Sequence, residues 1–133
     1  MIDPNLPSHI STFIAVRDLD ASRAFYQTVF GWPIRIEVPV LVEFALPDGR
    51  GLALYRRENF GNNTTQLPEE IRKGGIAGHE LYFHCPELDA VIERLEKAGA
   101  RCLSPLRGRD WGDDAAYYAD PDGTVIAVAR RSI

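Results

Sequence analysis

The chain has 133 residues, and 15 basic against 19 acidic side chains leave a formal net charge of −4. That length fits a single domain, and 45% hydrophobic with 26% charged residues excludes disorder as a whole-chain description. Lys and Arg gather no further than pairs such as Arg56-Arg57 and Arg130-Arg131, which argues against nucleic acid or anionic membrane as a partner. The apolar stretches are far shorter than the roughly 20 residues a membrane span needs, and Met1-Ile2-Asp3-Pro4 has neither a charged nor an apolar leader region, so the expected location is cytoplasmic. Cys85 and Cys102 sit among apolar neighbours and are expected to be free, buried thiols.

The elements follow from periodicity and punctuation. Residues 11–16 are β-branched and apolar and predict a strand. Asp18 or Asp20 then caps a helix running to Phe30, whose Phe25, Tyr26, Val29 and Phe30 form one apolar stripe before Gly31 ends it. Residues 34–38 and 40–46 predict two strands separated at Pro39, and Pro47-Asp48-Gly49 turns the chain into a fourth strand over 51–57. The polar stretch 58–78, with Asn62-Asn63, Pro68 and Gly74-Gly75, reads as a linker carrying one short helical turn near 69–72. Residues 81–85 predict the next strand, and Leu88, Val91, Ile92, Leu95 and Ala98 mark a helix stopped at Gly99. Strands over 101–104, 115–119 and 124–130 follow, the last two joined by Pro121-Asp122-Gly123.

The two halves repeat. Val16-Arg17-Asp18-Leu19-Asp20-Ala21 is echoed by Cys85-Pro86-Glu87-Leu88-Asp89-Ala90, an offset of 85 − 16 = 69 residues, and the Pro-Asp-Gly turn recurs in the same place. Each half reads βαβββ, giving module 1 at about 8–57, a linker at 58–77 and module 2 at about 78–131 within one domain spanning 1–133. This pattern, with Phe25-Tyr26 leading to Phe30-Gly31, Ala98-Gly99 and Tyr118-Ala119-Asp120-Pro121-Asp122-Gly123, resembles the vicinal oxygen chelate superfamily of glyoxalases, bleomycin-resistance proteins and extradiol dioxygenases. The resemblance implies an α+β fold in which tandem βαβββ modules form curved mixed sheets around a cavity, commonly completed by a second subunit.

Metal-dependent members of that superfamily hold a divalent ion with four side chains, one from the first and one from the last strand of each module. Carried over residue by residue, those positions are Ser11, Ala53, Glu80 and Ala127. Two alanines offer no donor atom, so the usual site is expected to be missing and no cofactor is expected; an atypical site for Zn, Ni, Fe or Mn is the alternative. Glu80 and His84 lie four residues apart on one strand, roughly 13 Å at ~3.3 Å per residue, too far to share one ion. Glu80, if partly buried and unpaired, would have a raised pKa, which makes it the candidate acid or base.

Strand alternation places Glu80, Tyr82 and His84 on the cavity side and Leu81, Phe83 and Cys85 against the helix. His9, Ser11, Phe13, Tyr55, Tyr82, His84 and Trp111 are the expected ligand-binding residues, with Arg35, Arg107 and Arg109 as arginines able to meet an anion. The leading expectation is a protein that binds a small planar organic ligand without the usual metal, in a cavity shared by a homodimer. The rivals are a glyoxalase-like lyase or isomerase, or a dioxygenase-related enzyme, working through Glu80, and a regulatory module with a vestigial cavity. Ligand and self are the expected partners, with no nucleic acid and no membrane.

Overall fold

The computed structural model describes residues 2–133. Its elements in chain order are β1 (Ser11–Val16), α1 (Leu19–Phe30), β2 (Ile34–Val38), β3 (Leu41–Ala45), β4 (Gly51–Arg56), α2 (Arg57–Thr64), β5 (Glu80–His84), α3 (Leu88–Lys97), β6 (Arg101–Gly108), β7 (Asp113–Ala119) and β8 (Val125–Arg131). They form the expected α+β architecture of two four-stranded mixed sheets, ordered β1-β4-β3-β2 and β5-β8-β7-β6. In each, the first and last strands of the repeat run parallel and the other pairings are antiparallel. The repeat therefore survives as topology, and neither sheet closes into a barrel.

By its contacts the chain divides into two compact units that cut across the sequence repeat. One comprises the residues up to Leu19 with Trp32–Pro68; the other comprises Asp20–Gly31 with Glu69–Ile133. Helix α1 thus belongs with the second sheet. Its apolar stripe is realised there, with Phe25, Tyr26 and Val29 buried, and Phe30 packs against Phe83 of β5 at 4.9 Å between ring centres. The Arg94 guanidinium of α3 donates to the free Val29 carbonyl near the end of α1 at 2.8 Å, satisfying a backbone acceptor that the helix leaves open. Helix α3 buries Leu88, Val91 and Leu95 as its spacing requires. In the first unit the core is Ile14, Val16, Val42, Phe44, Leu52 and Leu54 on one face of the sheet.

Three expectations are corrected. The segment expected as linker begins with helix α2 at Arg57–Thr64, and residues 69–72 form no helix. Gly61 lies against Leu67, Arg57 donates to the Pro68 carbonyl, and Thr65 closes the helix at φ +58°, so tertiary contacts override a sequence with poor helical propensity. Strand β6 continues four residues beyond Ser104, through Pro105, because the register shifts between Ser104 and Arg107 and leaves the proline outside the ladder. Cys102 is exposed on β6, and only Cys85 is buried, its thiol pKa pushed up by that burial.

Buried tyrosines of the second unit give the fold a pH limit. Burial, followed by the nearby Asp120 carboxylate, holds the Tyr26 hydroxyl well above its ordinary pKa, and burial with Cys102 and Glu96 alongside pushes Tyr118 up to about 12. A raised folded-state pKa contributes stability that is complete below the unfolded value, about 10, and is lost as pH climbs through the folded one. The urea midpoint should therefore fall above about pH 10, and Tyr118→Phe should soften that fall. A midpoint unchanged up to about pH 12 would contradict the account.

Candidate functional site

Each unit carries one open sheet face where the residues singled out from sequence gather. In the first unit, strand register sets Phe13 beside Ala53 and Ala53 beside Glu43, with Ser11 beside Gly51 one step along. Alternation puts this whole row on the side away from the buried core. Phe13 is 48% exposed and meets Tyr55 edge-on at 6.0 Å; Tyr55 in turn accepts a hydrogen bond from Asn63 of α2 at 3.0 Å. The feature the sequence reading missed is Glu43. It is buried, its Oε2 accepts from the Ser11 hydroxyl at 2.8 Å, and its Oε1 accepts from Arg35 Nε at 3.1 Å. Arg35 reaches it because the register of β2 shifts between Ile34 and Ile36, a bulge that turns the intervening side chain onto the neighbouring strand. Arg35 Nη1 then donates to the Gly49 carbonyl. Room for the cluster comes from Gly51: a Cβ there would lie 2.5 to 2.7 Å from Glu43 Oε2, Arg35 Nη2 and Ser11 Oγ.

The second unit repeats this plan with different chemistry. Tyr82 lies beside Ala127, and Ala127 beside Tyr117, the counterparts of Phe13, Ala53 and Glu43. Arg109 sits 4.9 Å over the Tyr117 ring and spends its donors on the Ala115 and Pro105 carbonyls and the Ser104 hydroxyl. Trp111 Nε1 donates to the Tyr82 hydroxyl at 2.8 Å, which itself donates to Asp113 at 2.6 Å, so the two exposed rings are locked edge-on at 6.4 Å. The same unit carries a groove of about 440 Å³ whose lining includes Ile76, His79, Glu80, Leu103, Tyr117 and Val125, within the size range of small-molecule sites. Burial and then the Glu80 carboxylate raise the Tyr117 hydroxyl pKa, with Arg109 opposing.

The expected site residues therefore divide by unit. Ser11, Phe13 and Tyr55 share the first face, and Glu80, Tyr82, His84 and Trp111 belong to the second unit. His9 falls outside β1 and is not on its ladder; its Nε2 lies 3.0 Å from the Ser11 carbonyl and 3.2 Å from the Thr12 hydroxyl, a local bond that closes the strand end. Glu80, the candidate acid or base on the condition that it be partly buried, is exposed. Arg35 and Arg109, considered from sequence as anion-binding groups, are engaged by Glu43 and by backbone carbonyls.

The four positions that hold metal elsewhere in the superfamily do not fit an ion here. Ala53 and Ala127 are buried alanines without donors, and the Ser11 hydroxyl is spent on Glu43. Glu80 alone is left with a free carboxylate donor. Among the described residues no three His, Cys, Asp or Glu side chains cluster as a cation site would need.

A model of the glyoxalase-like domain family matches residues 9–132. The chain belongs to this family, within the vicinal oxygen chelate superfamily. Among solved structures it is similar to a glyoxalase-related enzyme from Fulvimarina pelagi, with TM-score 0.82 and 25% identity over 95% of this chain and 89% of that one. A glyoxalase/bleomycin resistance protein/dioxygenase from Nocardioides superposes with TM-score 0.78 at 23% identity, covering 98% and 87% of the two chains. A lactoylglutathione lyase from Agrobacterium tumefaciens does so with TM-score 0.70 at 22% identity, covering 95% of each. At those identities the last two speak for the fold alone. The family holds different chemistries on one scaffold, so function has to be argued from the two faces themselves.

Proposed function

We propose that this glyoxalase-like protein binds a small planar organic ligand without the divalent metal of its catalytic relatives, in a cavity completed by a second copy of the chain. The observation that carries the reading is alanine at positions 53 and 127, where the superfamily's metal ligands would stand, each at the centre of a face that offers aromatic rings instead: exposed Phe13 with half-buried Tyr55 on one, exposed Tyr82 with Trp111 on the other. Aromatic side chains supply contact area with little rotamer entropy to lose, and locking Trp111 to Tyr82 and Asp113 removes more of it before any ligand arrives. Trp111 also provides the reporter.

Protein purified without chelator should contain well under one equivalent of Zn, Ni, Fe or Mn per chain, and naphthalene- or quinoline-sized ligands should quench its tryptophan emission and raise its melting temperature. Sedimentation should show a dimer at micromolar concentration. About one equivalent of metal per chain, lost on Glu80→Ala, would instead support a lyase or isomerase that uses Glu80, and silence from the whole ligand panel would sink the binding reading.

A further inference from the structure

We propose that the groove beside Glu80 selects ligands whose planar group carries a positive charge, an aromatic amidinium or ammonium, over neutral or anionic ones of the same shape. The inference rests on the ligand-binding reading above and adds the charge class. Its ground is the charge inventory of the second face. Glu80 stands in the lining of the groove and makes no hydrogen bond or ion pair among the described residues. Among the described residues no arginine or lysine lines the groove: Arg109, over the Tyr117 ring, donates to two backbone carbonyls and the Ser104 hydroxyl, and Arg101 donates to the Gly75 carbonyl at 3.0 Å. Asp113 is occupied by the Tyr82 hydroxyl and lies 3.8 Å from Arg131. Glu80 is therefore the one carboxylate among the described lining residues, with no ammonium or guanidinium in the lining to meet it; the other titratable lining groups are the His79 imidazole and the Tyr117 phenol.

The surroundings favour a cation further. Glu80 lines the groove together with Tyr117, whose ring already holds a guanidinium, that of Arg109, at 4.9 Å. Ile76, Leu103 and Val125 receive the hydrocarbon body. A neutral ligand of the same shape would strip water from Glu80 and return nothing to it, and an anion would add like-charge repulsion.

The test titrates 2-naphthamidine, 2-naphthamide and 2-naphthoate into the full chain and follows backbone amide resonances. The amidine should bind about tenfold more tightly than the amide, with the acid weakest, and the preference should shrink as salt rises to about 0.5 M. The shifted resonances should map to the groove lining, and Glu80→Gln should bring the amidine-to-amide ratio to about one, with its circular dichroism reporting the fold. Amide binding as tight as amidine, acid binding tightest, a ratio that survives Glu80→Gln, or shifts outside the groove would overturn the charge selection while leaving planar-ligand binding in place. Binding by none of the three would overturn both.

Discussion

Asp120→Ala should cost about 3–5 kcal/mol of stability, enough to lower the melting temperature by more than about 8 °C, because one carboxylate holds three donors in the second unit. Its Oδ2 accepts from the Tyr26 hydroxyl at 2.7 Å, across 94 residues of sequence, and its Oδ1 accepts from the Asp122 and Thr124 backbone N–H groups at 2.9 Å each. Asp120 is 6% exposed, Thr124 4% and Tyr26 fully buried, so truncation strands the hydroxyl and at least one amide where water does not replace the lost acceptor. The Pro121-Asp122-Gly123 turn loses one of its ties to α1 at the same time, keeping the bond from the Ser22 hydroxyl to the Asp122 carboxylate at 3.2 Å. Tyr26→Phe removes only one of the three bonds and should cost about 1–2 kcal/mol. Burial raises the Asp120 pKa while its three hydrogen bonds oppose that shift. The sign follows: a raised carboxyl pKa adds stability below the unfolded value of about 4 that is lost as pH rises through the folded one, and Asp120→Asn should remove this dependence. Thermal and urea unfolding of the three variants decide it; an Asp120→Ala midpoint within about 2 °C of the parent would refute the anchoring role.

Much of the second unit was legible in sequence because its signals are local. The Leu88, Val91 and Leu95 spacing named the buried side of α3, and both Pro-Asp-Gly turns fell where the chain reverses, with Gly49 and Gly123 at φ +88°. What local signals do not contain is pairing. Helix α2 was hidden because Arg57–Thr64 has weak helical character and depends on Leu67 and Pro68. The metal positions were testable residue by residue, since alanine excludes ligation wherever it sits. Glu43 was missed although a warning was present: it interrupts Leu41–Ala45, an otherwise apolar strand, and a lone charge there calls for a partner. That partner, Arg35, is set by a bulge, which no hydrophobic pattern announces.

The Arg35–Glu43 pair carries the second large effect. Arg35→Met should destabilise the first unit by about 2–4 kcal/mol, since it leaves a carboxylate with an 8% exposed side chain facing only the Ser11 hydroxyl; Arg35 itself is 39% exposed, which keeps the cost below that of a fully buried pair. The double variant Arg35→Met with Glu43→Leu should regain most of the loss, because an apolar pair of similar volume has no charge to desolvate. Gly51→Ala supplies an independent reading. Its new Cβ would intrude within 2.7 Å of all three polar side chains; each is the end of a movable chain, yet their mutual bonds oppose separate retreat. The expected cost is about 1–3 kcal/mol in the parent and clearly less once Glu43→Ala has vacated the space, a non-additivity of at least about 0.5 kcal/mol. Strict additivity of Gly51→Ala with Glu43→Ala, together with a neutral Arg35→Met, would show that water rather than the protein satisfies these groups. Coupling would show the opposite: Arg35, Glu43 and Ser11 form one bonded cluster, for which the glycine at position 51 leaves the room.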